Sequence, residues 1–266
     1  SLRTMEATLN PKLISDIMTY NSEMLVSPFW EETPQMDNQV FIGNKANNLK
    51  KLYLLGMPVP PGFVITTETF RRNETINTIP ELRTEIHGMI KKHIADLERI
   101  SGRKFGNPEA PLLVSVRSGT AISMPGAMDT FLNVGLNDEL VEAIGTDHSK
   151  AWAVWDSYRR LLQSWGMAKG IDRDIFDEEI NRFKTKYSVK QKSEFDAVEM
   201  RELAYAYKRI LEDNKVEFEQ DPFKQIIGCV NMVFESWNSE RALAYRRHLG
   251  ISENWGTAVI VQQMIY

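Results

Sequence analysis

Residues 112–138 read LLVSVRSGTAISMPGAMDTFLNVGLND, and this stretch carries most of the information about the fold. Its apolar start at residues 112–116 predicts a strand, and DTFLNVG at residues 129–135 predicts a partner strand that returns along it. Met-Pro-Gly-Ala at residues 124–127 has the composition of a tight turn. The first strand ends at Arg117 and a run of small polar residues, a composition that suits a phosphate-binding edge.

Arg117 is the first candidate functional residue. A guanidinium at a strand end can bind two phosphate oxygens at once, and Ser118, Gly119 and Thr120 offer small side chains and accessible backbone donors. A surface salt bridge with one of the 36 acidic residues would also explain an arginine here. Asp129, after the turn, is suited either to capping the hairpin or to holding a metal-bound water. On these residues alone, the alternatives stay open.

A second candidate lies upstream. VFIG at residues 40–43 predicts a short strand, and NKANNLKKLYLLG predicts a helix that ends at Gly56. Lys45 lies where this helix begins, and an ammonium beside the free N–H groups of a helix N-terminus favours phosphate oxygens. A solvated surface lysine is the alternative. GFVITT at residues 62–67 predicts another strand, so strands and helices together indicate a mixed α/β unit.

The rest of the chain is mainly helical and ends in a strand. Residues 80–100 form an amphipathic helical pattern, and helical patterns dominate again over residues 137–249. The β-branched run GTAVIVQQMIY at residues 256–266 predicts a strand. By alternation Gln262 and Gln263 face opposite sides of that strand. A buried glutamine needs a partner, either an adenine or ribose edge or a neighbouring backbone.

Composition narrows the class of protein. The chain has 266 residues, 42% of them hydrophobic and 26% charged, with a net charge of -4. This composition is that of a globular protein and argues against a surface that coats nucleic acid. The single cysteine, Cys229, permits no internal disulfide and favours a buried thiol in a cytoplasmic protein. The sequence contains no zinc-site spacing and no apolar run long enough to cross a membrane.

Four blocks of the sequence, in order, resemble the N-terminal nucleotide-binding region of pyruvate phosphate dikinases. They are residues 41–70, 114–138, 236–247 and 254–266. The Ser-Met-Pro-Gly sequence within the second block differs from phosphoenolpyruvate synthases and glucan water dikinases, which are similar at VRS and diverge after it. The resemblance implies an α/β (α+β) fold, with an ATP-grasp-like nucleotide-binding lobe, a mainly helical insertion and an incomplete second lobe.

The resemblance also implies the chemistry. Members of the family use ATP to phosphorylate a histidine on a separate domain, which passes the phosphoryl group to pyruvate. By position, Lys45 and Arg117 match the family's phosphate-binding lysine and arginine and are the expected catalytic residues. The loop after Arg117 matches the cover over the triphosphate. The ATP-binding residues implied in this way are Lys45, Arg117, Ser118, Gly119, Thr120, Met124, Asp129, Gln262 and Met264.

Other parts of the family pattern differ or are missing. Asn44 and Ala46 stand where the family has glycines, which predicts a stiffer loop around Lys45. The metal-binding acids for Mg²⁺ are expected beyond residue 266, as are the phosphohistidine and pyruvate/phosphoenolpyruvate domains. The chain alone is therefore expected to lack dikinase activity. A phosphoenolpyruvate synthase-like or other dikinase, and a non-catalytic nucleotide-binding or regulatory module, are the alternatives.

The sequence predicts five regions. Residues 1–36 are expected to be a helical extension or linker, 37–136 the mixed α/β first lobe and 137–222 a helical insertion. Residues 223–255 are expected to return to the first lobe, and 256–266 to begin the truncated second lobe. An isolated last strand would leave an open edge, which predicts a homodimer through strand pairing.

Overall fold

The computed structural model describes residues 11–265. They form five β-strands: β1 Val26–Pro28, β2 Gly62–Ile65, β3 Val114–Gly119, β4 Thr130–Val134 and β5 Ala258–Gln263. These residues also form twelve α-helices: α1 Pro11–Met18, α2 Gln39–Ile42, α3 Asn44–Leu54, α4 Thr67–Arg71, α5 Asn73–Thr78, α6 Pro80–Ser101, α7 Asp138–Gly145, α8 Ala151–Ala168, α9 Arg173–Lys186, α10 Ala197–Asp213, α11 Pro222–Ser236 and α12 Glu240–Leu249. The expected mixed α/β fold is confirmed.

The strands make one antiparallel sheet in the order β1-β2-β5-β3-β4. Strand β5 is central, because Ile260 lies opposite Val64 of β2 on one side and opposite Arg117 of β3 on the other. Residues 258–263 are therefore the middle strand of this sheet, and a second lobe that begins at residue 256 stays a prediction. Both edges of β5 are hydrogen-bonded, so the open edge on which the predicted homodimer depended does not exist.

Alternation along the strands gives the sheet two different faces. One face, which carries Phe63, Val116 and Val261, is buried in the main core, where α11 packs across β3, β4 and β5. The opposite face carries Val64 and Ile260, and there α2 and α3 cover a second, smaller apolar cluster. Arg117 lies on this second face, since directly opposed residues of paired strands project to the same side.

The helix α2 corrects the strand predicted at VFIG. The side chain of Asn38 accepts hydrogen bonds from the backbone N–H groups of Val40 and Phe41, which caps the helix at its start. Short apolar runs do not distinguish a strand from a buried helical turn. The helix predicted after it is confirmed as α3, and the amphipathic helix at residues 80–100 is confirmed as α6.

The extension or linker at residues 1–36 stays a prediction, and part of this region contributes to the sheet. Residues 1–10 lie outside the described part of the chain. Residues 11–18 are helical, but Val26–Pro28 pairs with β2 and belongs to the sheet. Leu25 and Phe29 on either side of that strand are fully buried, so this segment is part of the core.

The helical character of residues 137–222 is confirmed, because they contain α7 to α10 and no strand. Asn137 caps α7 by accepting a hydrogen bond from the Leu140 N–H. Helix α8 packs directly against β4. The boundaries at residues 136 and 222 stay predictions. None of the helices formed by residues 11–265 has both the length and the apolar character of a membrane span.

Candidate functional site

Two glycines bring the start of α3 against the end of β3. A Cβ atom on Gly43, whose φ is +80°, would lie 2.5 Å from the backbone carbon of Gly119. Such contact is possible only without a side chain, because no ordinary Cβ approaches a backbone atom so closely. The N–H of Asn44 donates to the carbonyl of Thr120 at 3.0 Å and fixes the contact. The first turn of α3 is therefore held beside the residues that follow Arg117.

This arrangement places Lys45 near Arg117. Lys45 lies in the first turn of α3 and is exposed. Partial burial and the positive charge of Arg117 lower the pKa of Lys45 below its usual value. Among residues 11–265, no carboxylate forms an ion pair with Lys45. Two cations that repel each other beside a helix N-terminus attract an anion between them.

Arg117 is held by Gln262. One Nη of Arg117 donates to the side-chain oxygen of Gln262, and the Nε2 of Gln262 donates to the carbonyl of Pro60 at 2.9 Å. The two contacts fix which end of the amide faces the guanidinium. Within the described residues the Nε of Arg117 is buried and has no hydrogen-bond partner. Burial lowers the pKa of Arg117, which in a protein stays charged all the same.

The loop from Gly119 to Asp129 begins and ends at this site. The residue after the loop, Thr130, lies opposite Arg117 in the β3–β4 pair. The predicted tight turn is present, because the N–H of Ala127 donates to the carbonyl of Met124. Met124 belongs to this loop, and its side chain is buried, at 7% exposure. Burial raises the pKa of Asp129, and the charge of Arg241 opposes that rise.

The structure thus brings together most residues that the sequence singled out. Lys45, Arg117, Thr120 and Asp129 converge at one end of β3, together with Ser118 and Gly119 of the strand itself. The site also includes Pro60, Ser236 and Arg241, which the sequence analysis missed. They lie far away in the chain and become neighbours only through the fold, so no local signal marks them.

Gln262 and Met264 are the predicted nucleotide-binding residues at the end of β5, and both already have hydrogen-bond partners within the chain. Gln262 is buried at 5% exposure, and its amide is already bonded to Arg117 and Pro60. Met264 lies just past β5, where its N–H donates to the carbonyl of Leu113 and its sulfur accepts from the N–H of Asn133. Met264 is therefore at the opposite end of β3 from the two cations.

A groove extends along that opposite end. It has a volume of about 410 Å³ and is lined by Leu113, by the loop before β3 and by residues of α7 and α8. A larger cavity of about 590 Å³ lies between α9 and α10 and includes neither cation. Size alone therefore does not identify the site, whereas the unpaired cations do. Within residues 11–265, no group of three or more His, Cys, Asp or Glu side chains is arranged to hold a metal ion.

Comparisons with known proteins indicate which proteins the chain is similar to. Residues 39–266 match the family model described as pyruvate phosphate dikinase, AMP/ATP-binding domain. The pyruvate, phosphate dikinase of Rhizobium meliloti (strain 1021) is 42% identical over 228 residues, which cover 85% of this chain and 25% of that protein. That of Clostridium symbiosum is 40% identical over 244 residues, covering 91% and 28%.

A plant relative is similar over the same region. The chloroplastic pyruvate, phosphate dikinase 1 of Arabidopsis thaliana is 39% identical over 228 residues, covering 85% of this chain and 23% of that protein. The chain thus spans about a quarter of the length of these curated relatives.

Proposed function

The chain belongs to the pyruvate phosphate dikinase AMP/ATP-binding domain family, and we propose that it binds ATP with the triphosphate between Lys45 and Arg117. The observation that carries the proposal is that the start of α3, with Lys45, is held beside the end of β3, with Arg117, and neither cation has an ion-pair partner in the described residues. A polyphosphate would neutralise both charges and would occupy the donor positions at the start of α3.

The rest of the nucleotide extends along the sheet in this proposal. Strand β3 runs from the cations towards Leu113, four residues or about 13 Å away. Met264 and the groove beside Leu113 lie at that end. We place the adenosine there and the phosphates beneath residues 118–123. Gln262 then acts through Arg117, whose guanidinium it orients, and the ribose or adenine contact implied for it by resemblance is replaced by this role.

The chemistry that this site supplies is electrostatic. Phosphoryl transfer needs charge neutralisation and in-line positioning, and it needs no nucleophile from the domain that holds the nucleotide. Lys45 and Arg117 would stabilise the negative charge that develops on the transferred phosphoryl group and on the departing phosphates. The partly buried guanidinium interacts more strongly with this charge than an exposed one, because the local dielectric is lower.

We further propose that this chain serves a dikinase of the kind its relatives are named for. ATP would then phosphorylate a histidine on another domain, which passes the group to pyruvate. The phosphohistidine and pyruvate/phosphoenolpyruvate domains are the expected partners, and we expect the chain alone to lack dikinase activity. Within residues 11–265, no group of three or more His, Cys, Asp or Glu side chains could hold Mg²⁺. The buried, unpaired thiol of Cys229 suits the cytoplasmic location proposed from the sequence.

The test is calorimetric titration of ATP into this chain and into a longer version that continues past residue 266. We expect Lys45→Ala and Arg117→Ala each to weaken binding more than about tenfold, or about 1.4 kcal/mol. Lys51→Ala is the matched control, because Lys51 is an exposed lysine of the same helix. If both versions are folded and the two variants bind ATP as well as the parent proteins do, the phosphate site is wrongly assigned.

A further inference from the structure

The corner between α11 and α12 contacts the Met-Pro-Gly turn through two polar side chains. The N–H of Asp129 donates to the Oγ of Ser236 at 3.2 Å, and the Nη1 of Arg241 donates to the carbonyl of Gly126 at 2.8 Å. The two bonds reach the loop three residues apart, one on the turn and one directly before β4. Both come from an element that is more than 100 residues away in sequence.

Ser236 is well placed for this contact. It is buried at 6% exposure, and its hydroxyl donates to the carbonyl of Val233 at 2.7 Å. The same oxygen accepts from the Asp129 N–H. An alanine here would keep the helix, because alanine is the best helix former, and would remove the hydroxyl that accepts from the loop.

The loop consequently has two unlike halves. In the half from Met124 to Asp129, the side chains of Met124, Ala127 and Met128 are buried in the main core. The two hydrogen bonds from the corner between α11 and α12 add to this packing. In the half that precedes Met124, Ile122 is 42% exposed, and the hydroxyl of Thr120 donates to the carbonyl of Ile122 within the same half.

Charged side chains around the corner between α11 and α12 also favour its contact with the loop. Asp129 faces the guanidinium of Arg241 and the carboxylate of Glu235, and a cavity of about 520 Å³ lies between these groups. Arg241 therefore acts on the loop twice. It donates to the Gly126 carbonyl, and it offsets the negative charge of Asp129.

We propose that Ser236 and Arg241 are positioning residues that fix the half of the loop from Met124 to Asp129, so that only residues 121–123 move when the phosphates bind. The role in phosphate binding rests on the function proposed above, whereas the fixed half is a property of the chain without ligand. Neither residue touches the phosphates, and both act through the backbone of the loop.

The test is hydrogen–deuterium exchange of the ligand-free chain, followed in the peptide that covers residues 124–130. We expect Ser236→Ala and Arg241→Gln to speed exchange there by about tenfold or more, while the peptide covering α11 keeps its rate. Arg241→Lys should restore much of the protection, because an ammonium can still donate to the Gly126 carbonyl. Arg247→Gln is the matched control, an identical substitution at an exposed position of the same helix.

A second arm measures the ATP affinity of the same proteins by calorimetry. The inference expects about a threefold or larger loss in Ser236→Ala and Arg241→Gln and none in Arg247→Gln. Unchanged exchange at residues 124–130, exchange that rises equally in α11, or faster exchange with unaltered ATP affinity would each overturn it. If the parent protein binds no ATP, the proposed function fails, while the exchange arm still decides whether the corner holds the loop.

Discussion

Two of the three lysines of helix α3, Lys45 and Lys50, lie five residues apart in opposite surroundings. Lys50 is 2% exposed, and its ammonium donates to Ser27, Thr33 and Asp37 at 2.9, 2.7 and 2.6 Å. Three acceptors match the three N–H donors of the ammonium. Lys45 is exposed, has Arg117 as its charged neighbour and forms no ion pair within the described residues. One lysine is satisfied by the fold, and the other is not.

The difference separates a lysine that the fold satisfies from one that is proposed to bind phosphate. Burial lowers the pKa of both groups, but Asp37 opposes this effect at Lys50, whereas Arg117 adds to it at Lys45. The Lys50 contacts fasten α3 to β1 and to the segment after it, because Ser27 lies in β1 and the other two acceptors follow. The fold thus stabilises the helix with one lysine and keeps the charge of the other available for an anion.

The largest expected effect concerns the satisfied lysine. Asp37→Asn should lower the free energy of unfolding by about 3–5 kcal/mol, because it leaves a buried ammonium without its counter-charge. Lys45→Met should leave that free energy within about 0.5 kcal/mol of the parent, since surface substitutions rarely cost more. Urea unfolding of the three proteins measures both changes. Equal losses in the two variants would show that the lysines do not differ as described.

The same pair predicts a pH dependence. Burial favours a higher pKa for Asp37, but the hydrogen bonds from Lys50 and Thr33 outweigh it and lower the pKa. The stabilisation from Asp37 is therefore present above the usual aspartate pKa and is lost as the pH falls through the lower folded value. Asp37→Asn should remove this component from the pH profile of unfolding, which would be measured from about pH 3 to pH 7.

The next effect tests what holds the functional lysine in place. Gly43→Ala should cost about 3 kcal/mol of stability and should weaken ATP binding, because its Cβ would meet the backbone of Gly119 at 2.5 Å. Gly56→Ala is the control, with a similar φ of +75° and no atom within 4 Å of the added Cβ. It should cost about 1 kcal/mol, the strain of the backbone alone. Thermal unfolding that gives the two variants equal losses would contradict the close approach.

A smaller effect is expected at the residue that holds Arg117. Gln262→Glu places a carboxylate against the guanidinium and removes the donor to Pro60, so it should weaken ATP binding by about tenfold. Gln263→Glu adds the same charge on the opposite face of β5 and should change the affinity less than about twofold. Calorimetry that gives the two variants equal affinities would remove Gln262 from the site.

The fold was predictable where the signals are local. The helices α3 and α6, the β3–β4 hairpin and its turn follow from periodicity, capping and turn composition. The central position of β5 was not predictable, because its pairing with β2 and β3 joins segments more than 130 residues apart. Similarly, VFIG is too short for periodicity to distinguish a strand from the helix α2.

The candidate site, too, was only partly predictable from the sequence. Lys45 and Arg117 could be named from the helix start at Lys45 and from the family resemblance, but the sequence does not show that Lys50 is buried and paired while Lys45 is not. Their difference comes from Asp37 and Arg117, which the fold brings near. The hydrogen bond between Gln262 and Arg117 links two strands and is equally invisible in the sequence, where the resemblance implies only a nucleotide contact for Gln262.

The most direct measurement is the pKa of Lys45, followed by NMR of the chain labelled with ¹³C at the lysine ε-carbons. In the ligand-free chain the pKa should lie below the usual lysine value, and Arg117→Ala should raise it. ATP should raise it as well, because the phosphates offset the repulsion between the two cations. A pKa of Lys45 at the ordinary value, unchanged by Arg117→Ala and by ATP, would contradict the paired-cation site.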